Sequence, residues 1–279
     1  MKKSISYWSF EGGLEGKKKI REAFAEARQA GFDAVELCLA ERGELSLETT
    51  EAGCKKILDD ARNAGVEISS LASGLYWSYS PTDDDPAIRK KAMDITLKYI
   101  DLAASLKVDT VLYIPGYVHV AFMPGSPVIS YDTVHKRSLE ALKEASRYAE
   151  SKKVTLAVEE VWNMFLLSPL EMRDFLDSVA SKNVGCYFDV GNVVLYGYPE
   201  HWVRILGSRI KRVHLKDFKR SVGTIEGFCD LGEGDVRWAE VMKALREIGY
   251  NSYLTAEMIP YKRGLLEKTS KAMDRILAM

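Results

Sequence analysis

Cysteine and histidine are scarce in this chain, and its side-chain charges almost cancel. The 279 residues include four cysteines and four histidines. Because no two cysteines are spaced as CxxC, zinc–thiolate sites are excluded and free thiols in a reducing cytosol are expected. There are 39 basic and 40 acidic residues, giving a net charge of -1. No excess of positive charge therefore indicates binding to nucleic acid or to an anionic membrane.

Long apolar runs and the usual dinucleotide motif are also missing. No apolar run approaches the ~20 residues that a membrane helix needs. The first residues, MKKSISYWSFEGG, are too polar for a signal peptide. No GxGxxG follows the first predicted strand, which excludes the usual dinucleotide fingerprint. We therefore expect a cytoplasmic globular protein without a membrane span.

Short apolar strands alternate with helical patterns along the whole chain. The predicted strands are 5–10, 34–40, 66–73, 109–116, 154–160, 184–189, 211–217 and 252–257. Helix-start signals such as Asp85-Pro86 and Ser168-Pro169 lie between them. Parallel strands joined by right-handed crossovers, in a chain near the ~250 residues of a barrel, favour a closed (β/α)8 TIM barrel over an open sheet. No linker divides the chain, so residues 1–279 are predicted to form a single domain.

Four consecutive predicted strands in the second half end in side chains that bind metals. These are Glu159, Asp189, His214 and Glu257. An acid at the end of an apolar strand lies at the edge of a sheet core, where its charge is costly without a partner. The C-terminal strand ends of a barrel meet at one rim. Three carboxylates and an imidazole therefore predict one divalent-metal site, with Mn²⁺ or Mg²⁺ favoured, Zn²⁺ or Co²⁺ possible, and coordination positions left for substrate oxygens.

Each of these four residues also has a structural interpretation when taken alone. An acid at a strand end is often a helix cap or one half of a surface ion pair. A single histidine is more often hydrogen-bonded than bound to a metal. The four together favour the metal site.

Other polar residues near the same rim are further candidates. Glu36 ends the second strand and would bind a substrate hydroxyl or form an ion pair. Lys216 would contact a phosphate or a sugar hydroxyl, or lie in a solvated loop. Glu160 points away from its neighbour in the strand and would pair with a base. Asp217 would hold an imidazole or a lysine.

Aromatic residues follow several of the predicted strands. Trp8 and Trp162 would line a cavity against the C–H faces of a sugar, and the alternative is ordinary packing in the barrel or its loops. His119, His135 and His201 match no ligand spacing.

The chain resembles a known family over nearly its whole length, and the specific motifs lie in its second half. LAVEEVWNMF, YFDVGN, RVHLKDFKR, GFCDLGEGDVRW and YLTAEM are similar to motifs of the xylose isomerase-like superfamily of TIM-barrel sugar phosphate isomerases and epimerases. The resemblance implies a set of four metal ligands: Glu159, Asp189, His214 and Glu257. It implies that the two glutamates also move the proton. It further implies substrate contacts for Asn192 and Arg220.

This resemblance implies a divalent-metal-dependent isomerase or epimerase acting on a sugar or sugar phosphate. One carboxylate would remove the α-proton, leaving a metal-stabilised enediolate, and the second would return it. Phe165 stands where tagatose-type 3-epimerases carry a glutamate, which argues against a free ketohexose. Glu160 stands where asparagine is common.

Several other activities are left open by the sequence. They are an inosose dehydratase-like lyase, an endonuclease IV-like hydrolase, which needs more histidines than this chain offers, and a non-catalytic sugar-binding barrel. The oligomeric state is left open as well, with a homo-oligomer among the alternatives.

Overall fold

In the computed structural model, which describes residues 1–123 and 125–279, eight parallel strands close into a barrel. Around the barrel the strands follow the order β1-β10-β7-β6-β5-β4-β3-β2. Their bounds are β1 Lys2–Ser6, β2 Ala34–Leu39, β3 Glu67–Ser73, β4 Thr110–Tyr113, β5 Thr155–Glu159, β6 Val184–Asp189, β7 Ile210–Leu215 and β10 Tyr253–Ala256. The remaining two, β8 Asp217–Phe218 and β9 Phe228–Cys229, form an antiparallel hairpin outside the barrel. The predicted (β/α)8 barrel is confirmed.

Helices follow the strands in the alternation that the sequence predicts. They are α1 Ile20–Ala30, α2 Glu51–Ala64, α3 Leu75–Ser78, α4 Pro86–Ser105, α5 Tyr131–Lys152, α6 Pro169–Val179, α7 Pro199–Leu206, α8 Trp238–Glu247 and α9 Leu265–Leu277. The predicted caps hold, because Asp85 accepts from Ala87 N and Ser168 accepts from Glu171 N. Within the part of the chain that the structure describes, no helix is long and apolar enough to cross a membrane.

The strands are buried on both faces. Every residue of β2, β4 and β6 is buried, since one face of each strand points into the barrel and the other lies under the helices. A polar residue on the inner face therefore has to find its partner inside the barrel. This arrangement brings polar side chains from distant strands together at the C-terminal rim.

Several strands end earlier than the sequence predicts. The first ends at Ser6, because Tyr7–Ser9 turns into a 3₁₀-helix. The seventh ends at Leu215, because the next residues leave the barrel and pair with Phe228–Cys229. The eighth ends at Ala256, so Glu257 is the first residue beyond it.

Candidate metal centre

Four strand-end side chains meet at the C-terminal rim of the barrel. One ligand atom from each of them lies within 4.8 Å of the others, and the residues are Glu159, Asp189, His214 and Glu257. Nδ1 of His214 is 2.9 Å from Glu159 Oε1, 3.5 Å from Glu257 Oε2 and 3.8 Å from Asp189 Oδ2. The structure thus brings together the whole set of predicted ligands.

The order of the strands explains this meeting. Asp189 and His214 are register partners on the adjacent strands β6 and β7. Glu159 ends β5, which pairs with β6, and Glu257 follows β10, which pairs with β7. The two glutamates therefore come from the outer strands of a four-strand arc, one on each side of Asp189 and His214.

Burial governs the charges of these residues. Asp189 and His214 are 0% exposed, Glu159 is 4% exposed and Glu257 is 6% exposed. Burial raises the pKa of Glu159 to about 7, although the hydrogen bond and charge of His214 oppose the shift. Burial also raises the pKa of Asp189, against the attraction of Lys216 and His214. The positive charge around Glu159 and Asp189 is therefore too small to offset the desolvation of these two carboxylates.

The surroundings of His214 favour its protonated form. Burial alone lowers its pKa, but the charges of Glu36 and Glu257 and the hydrogen bonds to Glu159 and Glu36 outweigh burial and raise it well above the ordinary value. A divalent ion would have to displace this proton in order to bind Nδ1, so metal affinity depends on pH.

The residues fit a divalent cation. Oδ1 of Asp189 accepts from the backbone N–H groups of Gly191 and Asn192, whereas its buried Oδ2 accepts no hydrogen bond from the described residues and forms an ion pair with Lys216 at 3.2 Å. Bonds of about 2.1 Å place neighbouring ligand atoms about 3–4 Å apart, which is the range of the three distances from His214 Nδ1. Three carboxylates and one imidazole suit Mn²⁺ or Mg²⁺ and are also acceptable to Zn²⁺ or Co²⁺.

Lys216 lies beside the same carboxylates. Its Nζ is 2.5 Å from Glu257 Oε2 and 3.2 Å from Asp189 Oδ2, and its side chain is 16% exposed. Burial lowers the pKa of Lys216, but the charges of Asp189 and Glu257 outweigh this effect and raise it. The solvated-loop alternative is wrong, because the ammonium group is part of the cluster.

The sequence predicted that Glu36 would bind a substrate hydroxyl or form an ion pair. The structure places it where no hydroxyl could reach it. It is 0% exposed. Its Oε1 is 2.9 Å from His214 Nε2, and its Oε2 accepts from Tyr187 Oη at 2.5 Å and from Ser70 Oγ at 3.0 Å. Both oxygens are therefore occupied behind the cluster, and the ion-pair alternative is the one observed. Tyr187 was not among the predicted site residues. It lies two residues before Asp189 in β6, so strand alternation places both side chains on the same face.

Glu160 and Asp217 differ from expectation as well. Glu160 accepts from Asp189 N at 2.6 Å instead of from a base, and burial raises its pKa well above the ordinary range. Asp217 holds neither an imidazole nor a lysine. It accepts from Gly232 N at 2.8 Å and from the indole Nε1 of Trp238 at 3.0 Å. Its role is to fasten the segment that leads into α8.

Asn192 and Trp162 are joined next to the cluster. Asn192 is buried, and its side-chain Nδ2 donates to the backbone oxygen of Glu160 at 2.8 Å. Its backbone oxygen accepts from Trp162 Nε1 at 3.2 Å. Trp162 also packs against Phe218 and Phe228, with ring centroids 5.4 Å apart in both pairs. Its ring is thereby held in place beside Asn192.

Arg220 and Trp8 lie farther out. Arg220 donates Nε to Val194 O at 2.6 Å and Nη2 to Gly197 O, and its guanidinium lies 4.6 Å from the ring of Tyr198. Trp8 is partly buried and packs against the apolar core. The contacts of Arg220 hold the loop after β6, and the predicted substrate contacts of both residues stay predictions.

Comparisons with known proteins agree with this architecture. Residues 24–278 match the family model described as xylose isomerase-like TIM barrel. A putative L-ribulose-5-phosphate 3-epimerase, SgbU from Escherichia coli (strain K12), is 30% identical over 255 residues, covering 89% of this chain and 87% of that protein. D-psicose 3-epimerase from Enterocloster bolteae is 24% identical over 275 residues, covering 94% of this chain and 83% of that protein.

A solved structure shows the same fold. The D-psicose 3-epimerase with D-tagatose from Clostridium cellulolyticum H10 superposes with a TM-score of 0.79 at 19% identity, covering 99% of each chain. The family match over most of the chain and the relative at 30% identity both agree with the resemblance in the strand-end motifs. The chain belongs to the xylose isomerase-like TIM barrel family.

Proposed function

We propose that this protein is a divalent-metal-dependent sugar isomerase or epimerase that transfers a proton at the carbon next to the carbonyl of a ketose or ketose phosphate. The observation that carries the proposal is the pair Glu159 and Glu257, which reach the buried four-residue cluster from its two sides. Two carboxylates in this arrangement can serve opposite faces of one carbon, as epimerisation requires.

The proposed ligands are the four residues of the cluster: Glu159, Asp189, His214 and Glu257. When bound there, the cation supplies a Lewis acid that polarises the substrate's carbonyl. The burial of the cluster keeps water away from the reacting carbon.

The two glutamates are the proposed acid and base. A carboxylate that binds the cation through one oxygen would keep its other oxygen to accept and return a proton. Lys216 contacts Glu257 Oε2 and holds that carboxylate in place. One glutamate would take the proton from one face of the carbon, and the other would deliver a proton to the opposite face.

The substrate class follows from the relatives. Those reported above are named for a ketose phosphate and for a free ketose, so both are candidates here. We propose that Lys216, Asn192 and Arg220 bind the hydroxyl or phosphate groups. Trp8 and Trp162 are proposed to contact the carbon face of the sugar.

The test is incubation with ketoses and ketose phosphates in deuterated water containing Mn²⁺. Deuterium entering at one carbon, with an epimer or isomer as product, supports the proposal. A product lighter by one water would instead indicate a lyase of the inosose-dehydratase type. Failure to exchange any C–H of a bound sugar would indicate a non-catalytic binding barrel.

The histidines argue against an endonuclease IV-like hydrolase. Of the four histidines, all within the part of the chain described, only His214 belongs to the cluster. His135 lies in α5 and His201 in α7. A cluster of three metals would need more imidazoles at the rim.

The remaining expectations also stand as proposals. We propose that residues 1–279 form one domain, that the protein is cytoplasmic and that it binds neither nucleic acid nor membrane. Its four cysteines are free, in keeping with a reducing compartment. Association into a homo-oligomer stays a prediction.

A further inference from the structure

We propose that Glu36 is a positioning residue that acts through His214, fixing the ring so that Nδ1 faces the metal. The inference rests on the proposed metal centre and adds a residue from β2, a strand that contributes no ligand. The carboxylate lies on the far side of the imidazole from the three acids, with Oε1 2.9 Å from Nε2.

An ionised carboxylate such as that of Glu36 accepts hydrogen bonds and donates none. Tyr187 Oη at 2.5 Å and Ser70 Oγ at 3.0 Å both donate to Oε2. With His214 on Oε1, three donors surround a carboxylate that is 0% exposed. A buried charge satisfied in this way holds its neighbours in one arrangement.

The hydrogen bond to Glu36 decides which imidazole nitrogen carries a proton. A carboxylate needs a donor, so Nε2 keeps its hydrogen. Once the ring gives up its other proton to bind a metal, Nδ1 offers the lone pair, and Nδ1 is the nitrogen directed at Glu159, Asp189 and Glu257. A carboxylate behind a metal-binding histidine selects the ring orientation and raises the basicity of the ligand nitrogen.

The ring plane is held by packing as well. Tyr187 lies against His214 with ring centroids 4.3 Å apart and an angle of 47° between the rings. The same tyrosine donates its hydroxyl to Glu36, so a single side chain contacts both members of the pair. Rotation of the imidazole would therefore break the bond to Glu36 and disturb the contact with Tyr187.

The experiment measures Mn²⁺ affinity of the metal-free full-length protein by calorimetry, without substrate. Glu36→Gln should weaken binding about 10- to 100-fold, the usual cost of losing such a partner. Glu200→Gln is the matched control. This variant also removes a buried carboxylate, but Glu200 lies on α7 and bonds to Arg237. The Mn²⁺ affinity of Glu200→Gln should therefore equal that of the wild type.

A second readout follows the ring itself. In Zn²⁺-loaded protein labelled with ¹⁵N-histidine, His214 should carry its proton on Nε2, and Glu36→Gln should move this signal while the other histidines stay unchanged. A proton on Nδ1 in the loaded wild type would overturn the proposal.

The outcomes separate this inference from the proposed function. Equal Mn²⁺ affinity in wild type and Glu36→Gln overturns the role of Glu36 alone. Absence of Mn²⁺ binding in the wild type overturns both. If Glu36→Gln does not fold, Tyr187→Phe decides, because it keeps the carboxylate and removes one donor. A several-fold loss of affinity in that variant supports the role, and an unchanged affinity refutes it.

Discussion

Replacing Asp217 with alanine is expected to loosen the segment between β9 and α8. The side chain is 0% exposed. Its oxygens accept from four donors: Phe218 N at 2.9 Å, Gly232 N at 2.8 Å, Val236 N at 3.2 Å and Trp238 Nε1 at 3.0 Å. One side chain thus fastens both the hairpin strand β8 and the start of α8.

The magnitude follows from which donors stay buried. Phe218, Val236 and Trp238 are buried and would lose this acceptor, whereas Gly232 is exposed and can turn to water. Each unsatisfied buried donor costs about 1–3 kcal/mol. Because removal of the buried carboxylate also relieves its own desolvation, we expect a net loss of about 2–4 kcal/mol. For a chain of this length that lowers the melting temperature by about 4–8 °C.

Differential scanning calorimetry of Asp217→Ala measures this loss. Asp217→Asn should fall between Asp217→Ala and the wild type, since it keeps one acceptor oxygen. Glu233→Ala is the control, because its pair with Lys268 is half-exposed and contributes less than about 1 kcal/mol. Hydrogen exchange should show the Val236 amide opening faster in Asp217→Ala. A melting temperature within about 1 °C of the wild type would refute the reasoning.

Three further predictions concern the metal centre. Glu257→Gln is expected to lower turnover about 10²- to 10⁴-fold with an unchanged circular dichroism spectrum, because a proton-transfer group is lost, and near-wild-type activity would contradict its role. EDTA should abolish activity and Mn²⁺, Mg²⁺ or Co²⁺ should restore it, whereas indifference to the chelator would exclude the metal. Burial raises the pKa of Glu159 to about 7, so in metal-free protein the stability from this group is full below its unfolded pKa and is lost as pH rises through about 7. Urea denaturation should therefore show the wild type losing more stability than Glu159→Gln over that range, and parallel pH curves would disprove the shift.

The architecture could be predicted because its signals are local. The caps at Asp85 and Ser168 are set by a few neighbouring residues. The predicted strand ends were less accurate, because a strand ends where its hydrogen-bond partners end. The seventh strand stops at Leu215 because the next residues pair with a segment about ten positions later, and periodicity does not carry that information.

The metal cluster could be predicted because of a rule about barrels. Parallel strands with alternating helices place every C-terminal strand end on one rim, so Glu159, Asp189, His214 and Glu257 were expected to meet. The rule locates the rim but does not orient side chains. Glu36 was also expected at that rim, yet it lies inside β2 and points behind the imidazole, where it meets a tyrosine 151 positions away.

The sequence by itself therefore determined the order of elements, the closed barrel and the four strand-end residues of the candidate centre, because short-range periodicity and strand polarity encode them. Only the tertiary structure decided which groups Glu36, Asp217 and Lys216 contact. The physical reason is that a buried charge takes its role from whichever donors surround it, and in this protein those donors come from segments that are far apart in the chain.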